Sequence, residues 1–254
     1  MNLFDLSGRV AIVTGGNGGI GLGMAKGLAA CGAAVTVAAR NAEKSKAAVE
    51  VLEGLSGKAS AIEVDVTDED SCRAMVQTAV ETYGRLDILV NNAGTNIRKQ
   101  PEDYTLEEWR TVLETNLTSS FACSQAAYPH MRDAGGGKII MNGSMMSIFG
   151  ASFVAPYAAS KGGVVQLTKA LATAWAKDGI QVNCILPGWI DSDLTRQARR
   201  QVQGLHERVE ARTPAGRWGT GDDFMGITAF LASPASDFVT GTAIPVDGGY
   251  SVQG

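Results

Sequence analysis

GRVAIVTGGNGGIGLGMAKGLAAC, residues 8–31, joins a β-branched apolar run to a glycine cluster and then to a helix-forming run. Gly8 to Thr14 has the composition of a strand buried on both faces. Gly15-Gly16-Asn17-Gly18-Gly19-Ile20-Gly21 follows, and Leu22 to Cys31 reads as a helix. Strand, glycine turn and helix, in that order, are the context in which a glycine motif can hold phosphate. The glycines allow backbone to approach a pyrophosphate closely. The helix N-terminus adds unpaired N–H groups and the positive end of its dipole. Two registers fit: Gly16-x-Gly18-x-x-Gly21, and Thr14-Gly15-x-x-x-Gly19-x-Gly21.

A second strand, Ala33 to Ala39, ends at Arg40. Dinucleotide folds that use NAD place Asp or Glu here to accept from the ribose 2′-OH. This chain has Ala39 and then Arg40, with Lys44 and Lys46 close behind. A guanidinium matches a phosphate with a bidentate fork, so NADP(H) is the expected cofactor. The alternative is NAD(H), with Arg40 a solvated residue stacking on adenine.

Further along, strands and helices alternate. A helix is predicted over Asn41–Leu55, a strand over Ala59–Val64, and a helix capped by Thr67-Asp68-Glu69-Asp70 that runs to Tyr83. The strand Leu86–Val90 opens into Asn91-Asn92-Ala93-Gly94. Thr105-Leu106-Glu107-Glu108 is a capping box for a long helix to Met131. Asn116 lies inside that helix, where asparagine is a poor helix former, and a buried side chain at a break in the helix is one reading of it. Lys138–Met141, Ile180–Leu186 and Thr242–Val246 are the remaining strands. Helices are expected around Tyr157 to Lys177 and over Gly221–Leu231. Residues 189–219 are irregular and rich in arginine, and read as an inserted flap with one or two helices. The pattern predicts a single doubly wound α/β domain over residues 1–254, with a seven-stranded parallel sheet flanked by helices.

Within that frame, Asn142 to Lys161, NGSMMSIFGASFVAPYAASK, carries the chemistry. Tyr157 and Lys161, four residues apart on a helix, share one face. An ammonium near a phenol favours phenolate, so Tyr157 is expected to exchange a proton well below its ordinary pKa of about 10. Ser144, at the end of the preceding strand, would supply a hydroxyl to the same pocket.

Bulk properties narrow the function. Apolar residues make up 45% of the 254, charged residues 19%, and glycine numbers 31, which suits many strand–helix turns around a large core. A net charge of −4 invites neither nucleic acid nor an anionic membrane surface. No apolar run approaches the roughly 18 residues of a membrane span, and MNLFDLSGRV lacks the features of a signal peptide. Cys31, Cys72, Cys123 and Cys184 are scattered, and His130 and His206 are the only histidines, so no metal site and no histidine triad is expected. A serine hydrolase is disfavoured because Asn142-Gly143-Ser144-Met145-Met146 lacks the second glycine of a nucleophile elbow. A non-catalytic nucleotide-sensing protein on the same fold is the other class to separate from an enzyme.

With these residues located, the chain resembles the short-chain dehydrogenases/reductases from end to end. Thr14-Gly15-x-x-x-Gly19-Ile20-Gly21 is similar to the family's cofactor turn, Asp65-Val66 to its adenine contact, and Asn91-Asn92-Ala93-Gly94 to the loop beside the cofactor. Asn116, Ser144, Tyr157 and Lys161 match its catalytic four in order and spacing. Pro187-Gly188 and Val246-Asp247-Gly248-Gly249 agree as well. The resemblance implies a Rossmann-type fold, with Asn17, Arg40, Tyr157, Lys161, Ile190 and Ser192 also at the cofactor. Hydride transfer would interconvert a ketone and a secondary alcohol. Tyr157 would be the proton donor or acceptor, Lys161 the group that holds ribose hydroxyls and lowers the phenol's pKa, Ser144 the carbonyl-oxygen donor, and Asn116 the anchor of a water. Gly18 is a departure, since many NADP-using members carry a basic residue there; Arg40 is left as the main 2′-phosphate candidate. Candidate substrate-pocket residues are Asn96, Ile97, Arg98, Met145, Met146, Phe149, Val154, Trp189 and Ile190. Asn96-Ile97-Arg98-Lys99 and Pro214-Ala215-Gly216-Arg217-Trp218-Gly219 look like members acting on sugar acids, in which case Arg98 would pair with a carboxylate. Reduction of cyclic ketones or 3-oxoacyl thioesters is the alternative. The resemblance also implies a cytoplasmic homotetramer packed through the helices around Asn116 and Tyr157.

Overall fold

The computed structural model describes residues 3–55 and 58–254. Among these residues seven strands form one parallel sheet: β1 (Val10–Thr14), β2 (Ala34–Ala38), β3 (Ala59–Ile62), β4 (Ile88–Asn91), β5 (Gly137–Asn142), β6 (Ile180–Pro187) and β7 (Ala243–Val246). Their order is β3-β2-β1-β4-β5-β6-β7. The helices are α1 (Gly19–Ala30), α2 (Ala42–Glu53), α3 (Glu69–Tyr83), α4 (Leu106–Leu113), α5 (Ser119–Asp133), α6 (Ala155–Trp175), α7 (Asp193–Gln201), α8 (Leu205–Arg212) and α9 (Met225–Ala232).

Successive strand residues point to opposite faces, and both faces are buried, so the strands carry no polar alternation. Ile12, Leu89, Ile139 and Met141 join α3, α5 and α6 in one apolar core. Ala11, Val13, Ile88, Val90 and Ile140 join α1, α2 and α9 in the other. Strand order reverses between β1 and β4, and in doubly wound sheets that switch point opens a crevice at the carboxyl ends of the strands.

Several boundaries differ from the sequence expectation for physical reasons. α1 starts at Gly19 rather than Leu22, because glycines of low helix propensity form its first turn. The Thr105 capping box forms as expected, with the Thr105 hydroxyl accepting from Glu108 N at 3.1 Å and the Glu108 carboxylate accepting from Thr105 N at 3.0 Å. The helix it starts is not continuous, however. A π-turn, Glu114–Thr118, interrupts it and holds a fully buried Asn116. The final helix opens with a 3₁₀ turn, Gly221–Phe224. Within residues 189–219, α7 and α8 close around Ala198, Leu205, Val209 and Trp218, with Trp189 and Val202 packed against them. Arg199 stacks its guanidinium 4.4 Å above Trp218.

Candidate active site

The crevice begins at the glycine turn. β1 delivers a buried Thr14, whose hydroxyl donates to Val90 O at 3.2 Å and accepts from Asn92 N at 2.9 Å and Ala93 N at 3.0 Å. The Asn92 amide donates to Thr14 O at 2.9 Å and Gly15 O at 3.2 Å, and its oxygen accepts from the Asn142 amide at 2.9 Å. The ends of β1, β4 and β5 are thereby tied together. Gly15 takes φ +63°, and a Cβ on Gly21 would lie 2.2 Å from Gly15 O and 2.4 Å from Asn92 Nδ2. Helix and turn meet there with no room for a side chain. Gly18 caps α1 without a side chain, leaving the helix's first N–H groups no side-chain acceptor. This is the cradle a pyrophosphate requires.

One hollow in the crevice is lined by Asn17, Gly19, Ile20, Gly21, Asn92 and Gly94, and continues past Ser144, Tyr157, Lys161, Pro187 and Gly188 to Ile190 and Ser192. A neighbouring hollow is lined by Gly15, Arg40, Asp65, Val66 and Ala93, and shares Asn17 and Gly94 with the first. Hydrogen bonds from Thr67 and, more weakly, the Arg40 charge hold the Asp65 carboxyl below the usual range.

At the far end β5 delivers Ser144, which caps the 3₁₀ turn Met145–Ser147 and accepts from Met146 N at 3.1 Å. α6 places Tyr157 and Lys161 one turn apart, and Tyr157 lines the same hollow as Ser144, whose hydroxyl acts on the phenol. Lys161 is buried, with Nζ donating to Asn142 O at 2.6 Å and lying 5.8 Å from the Tyr157 ring centroid. Burial lowers its pKa to about 8. One expectation is corrected here. The Tyr157 phenol is raised, not lowered: burial outweighs the Ser144 hydroxyl and the charge of Arg98, which is the cation acting on it. Lys161 spends its ammonium on the Asn142 carbonyl instead.

Asn116 stands behind this pair. Its oxygen accepts from Thr95 N at 2.7 Å, and its two N–H groups go to Thr95 O and Ser160 Oγ, each at 3.0 Å. With both N–H groups committed, a water at this side chain has only the oxygen to bind. Ser160 passes the link on by donating to Tyr157 O at 2.8 Å.

A further hollow opens on the other side of Ser144 and Tyr157. Asn96, Arg98, Met145, Met146, Val154 and Trp189 line it as expected from sequence, together with Phe153, Leu194 and Thr195. Two sequence candidates lie elsewhere: the Ile97 carbonyl accepts from Tyr104 at 2.6 Å, and Phe149 packs edge-on against Tyr250. Ile190 belongs to the cofactor side. Arg98 donates to Leu194 O at 3.3 Å, and burial lowers its pKa. α2 and α7 are tied across the crevice by an exposed ion pair, Lys44 to Asp193 at 3.0 Å. Sequence reasoning missed Ser147, Ser160, Thr95 and the Asn142 carbonyl. The small hydroxyl residues flanking Ser144 and Lys161 were a usable signal for the serines; a backbone carbonyl leaves none.

Fold and crevice together define a dinucleotide-binding α/β protein with a phenol, Tyr157, where two hollows meet. A family model described as enoyl-(acyl carrier protein) reductase matches residues 15–251. The chain is 40% identical over 252 residues to gluconate 5-dehydrogenase of Gluconobacter oxydans (strain 621H), covering 99% of this chain and 98% of that one. It is 41% identical over 251 residues to 2-dehydro-3-deoxy-D-gluconate 5-dehydrogenase of Escherichia coli (strain K12), covering 98% of each. A solved structure of gluconate 5-dehydrogenase from Burkholderia cenocepacia J2315, in complex with NADP and tartrate, superposes with a TM-score of 0.93 at 39% identity, covering 99% of this chain and 98% of that one. The chain belongs to the short-chain dehydrogenase/reductase family, and is an oxidoreductase.

Proposed function

We propose that the protein is an NADP(H)-dependent dehydrogenase that interconverts the ketone and secondary-alcohol forms of a sugar acid. One observation carries the reading: the Ser144–Tyr157 pair sits where the cofactor hollow meets a pocket that holds a half-buried Arg98. The named activities of the Gluconobacter and Escherichia relatives, and the NADP and tartrate in the Burkholderia structure, point the same way.

The glycine cradle fits a pyrophosphate, and Arg40, in the adjoining hollow with Asp65, would take a 2′-phosphate. A bound nicotinamide supplies or takes the hydride. The chain's own residues do the rest. Tyr157 gives its phenolic proton to the carbonyl oxygen in reduction and takes one in oxidation. Ser144 aligns that oxygen and stabilises charge developing on it. Lys161 presents a buried ammonium to ribose hydroxyls, and Asn116 braces the Tyr157 turn through Ser160. Arg98 pairs with the substrate carboxylate, while the Met145, Met146, Val154 and Trp189 wall excludes water. In the same reading residues 1–254 are a single domain, with 189–219 as the substrate flap. The assembly is a cytoplasmic homotetramer joined through α5 and α6. The outer strip Ala155, Ala158, Ala159 and Gly162, together with the 43%-exposed Phe121, suits that packing, while Gly163 packs on Leu117 of its own chain.

Two measurements test the specificity. Arg40→Ala is expected to raise KM for NADPH about tenfold and leave that for NADH within about twofold, as loss of a charged phosphate contact requires. Equal effects on both cofactors favour NAD(H). Arg98→Ala is expected to lower kcat/KM for 5-keto-D-gluconate about a hundredfold more than for cyclohexanone. Because Arg98 also acts on Tyr157, the ratio of the two losses is the quantity that decides. Equal losses remove the carboxylate assignment.

A further inference from the structure

We propose that Ser147 is a positioning residue that fixes the place of the Ser144 hydroxyl against α6; this rests on the roles given above to Ser144 and Tyr157. Ser147 lines neither the cofactor hollow nor the substrate pocket, so it acts through its neighbours. Its Oγ is 2.7 Å from Lys161 O and 3.2 Å from Ser144 N. A peptide carbonyl can only accept and a peptide N–H can only donate. The Ser147 proton is therefore committed to Lys161 O, and its lone pair takes the Ser144 N–H. One step further, Ser144 Oγ accepts from Met146 N at 3.1 Å. That leaves the Ser144 proton for the oxygen on its open side, where Tyr157 and the substrate carbonyl meet.

The chain of bonds starts on the α6 turn that carries Lys161 and ends at the Ser144 hydroxyl. It registers the serine turn on the same turn of helix that sets the phenol and the ammonium. The turn itself does not depend on it. Ser147 N donates to Ser144 O at 2.9 Å, Ile148 N to Met145 O at 3.1 Å and Phe149 N to Met145 O at 2.9 Å. Removing the Ser147 hydroxyl thus cuts the tie to α6 and leaves the local backbone bonded.

The test is a double-mutant cycle of Ser147→Ala and Ser144→Ala, following NADPH oxidation with 5-keto-D-gluconate and thermal melting. Ser147→Ala is expected to lower kcat about 10- to 100-fold with KM for NADPH within about twofold, as a displaced donor does. Ser147→Thr, which keeps the hydroxyl, recovers most of that loss. In the Ser144→Ala background, Ser147→Ala adds less than about twofold, because the group it places is already gone. Losses that multiply, or a Thr variant as impaired as the Ala variant, overturn the proposal. So does a wild-type Ser147→Ala beside an impaired Ser144→Ala. A wild-type Ser144→Ala overturns the reading of the site, and this inference with it. If Ser147→Ala does not fold, Ser147→Cys replaces it throughout the cycle. The thiol is a weaker donor, so a smaller loss of the same non-additive kind supports the proposal and a multiplicative one overturns it.

Discussion

Tyr157→Phe is expected to fold, bind NADPH and lose about three orders of magnitude in turnover of 5-keto-D-gluconate, within the range of a positioned general acid. The ring stays, so its packing beside Lys161 and Arg98 stays; only the proton source goes. Because burial raises the phenol, the protonated form that reduction needs persists through neutral and mildly alkaline pH. The sign follows. Ketone reduction holds through neutral pH and falls in the alkaline range, where first the Lys161 ammonium, with its pKa of about 8, and then the phenol lose their protons. Alcohol oxidation, which needs the phenolate, climbs with pH. The phenol's share of both slopes disappears in the Phe variant, and the Lys161 step remains. Steady-state rates in each direction across pH, with NADPH titration by fluorescence, check this. Near-normal turnover in the variant would end the assignment.

Gly21→Ala produces the second large effect. A Cβ there would lie 2.2 Å from Gly15 O and 2.4 Å from Asn92 Nδ2, and backbone cannot give way cheaply. Overpacking of this kind costs about 3 kcal/mol. The damage travels, because Asn92 ties the glycine turn to Asn142 and so to the strand that presents Ser144. The variant is therefore expected to lose NADPH affinity at least about tenfold. It also loses turnover at saturating cofactor. Gly18→Ala is the control: nothing stands within 4 Å of a Cβ there, and the cost is about 1 kcal/mol or less. Calorimetric titration and thermal melts of the two variants compare them directly; equal behaviour would mean that the close approach is not what makes Gly21 necessary.

Much of this was legible in the residues. The run Gly8–Thr14 announced a strand covered on both faces, observed over Val10–Thr14, and the glycines after it a phosphate turn, since both signals are local. Asn116 betrayed the helix break because asparagine is out of place there. What stayed hidden depends on tertiary surroundings. The direction of the Tyr157 shift follows from how deeply α6 is covered and from Lys161 turning to Asn142. Arg98 is separated from Tyr157 by dozens of residues, so its field on the phenol has no sequence signature. Ser147 could be suspected as a hydroxyl near Ser144, but its tie across to α6 could not, nor could the packing of Phe149 on Tyr250 instead of into the pocket.

The π-turn at residues 114–118 turns chain length into a functional quantity. It winds one surplus residue into the helix. Deleting any one of its four positions other than Asn116 would let the segment rewind as a uniform α-helix, keeping α4 and α5 in phase but removing the wide turn that holds Asn116 against Thr95. Asn116 would then swing off the Thr95 backbone, and the brace on the Tyr157 turn would go with it. A one-codon deletion here is expected to lower turnover as Asn116→Ala does, by the same loss of the Thr95 and Ser160 bonds.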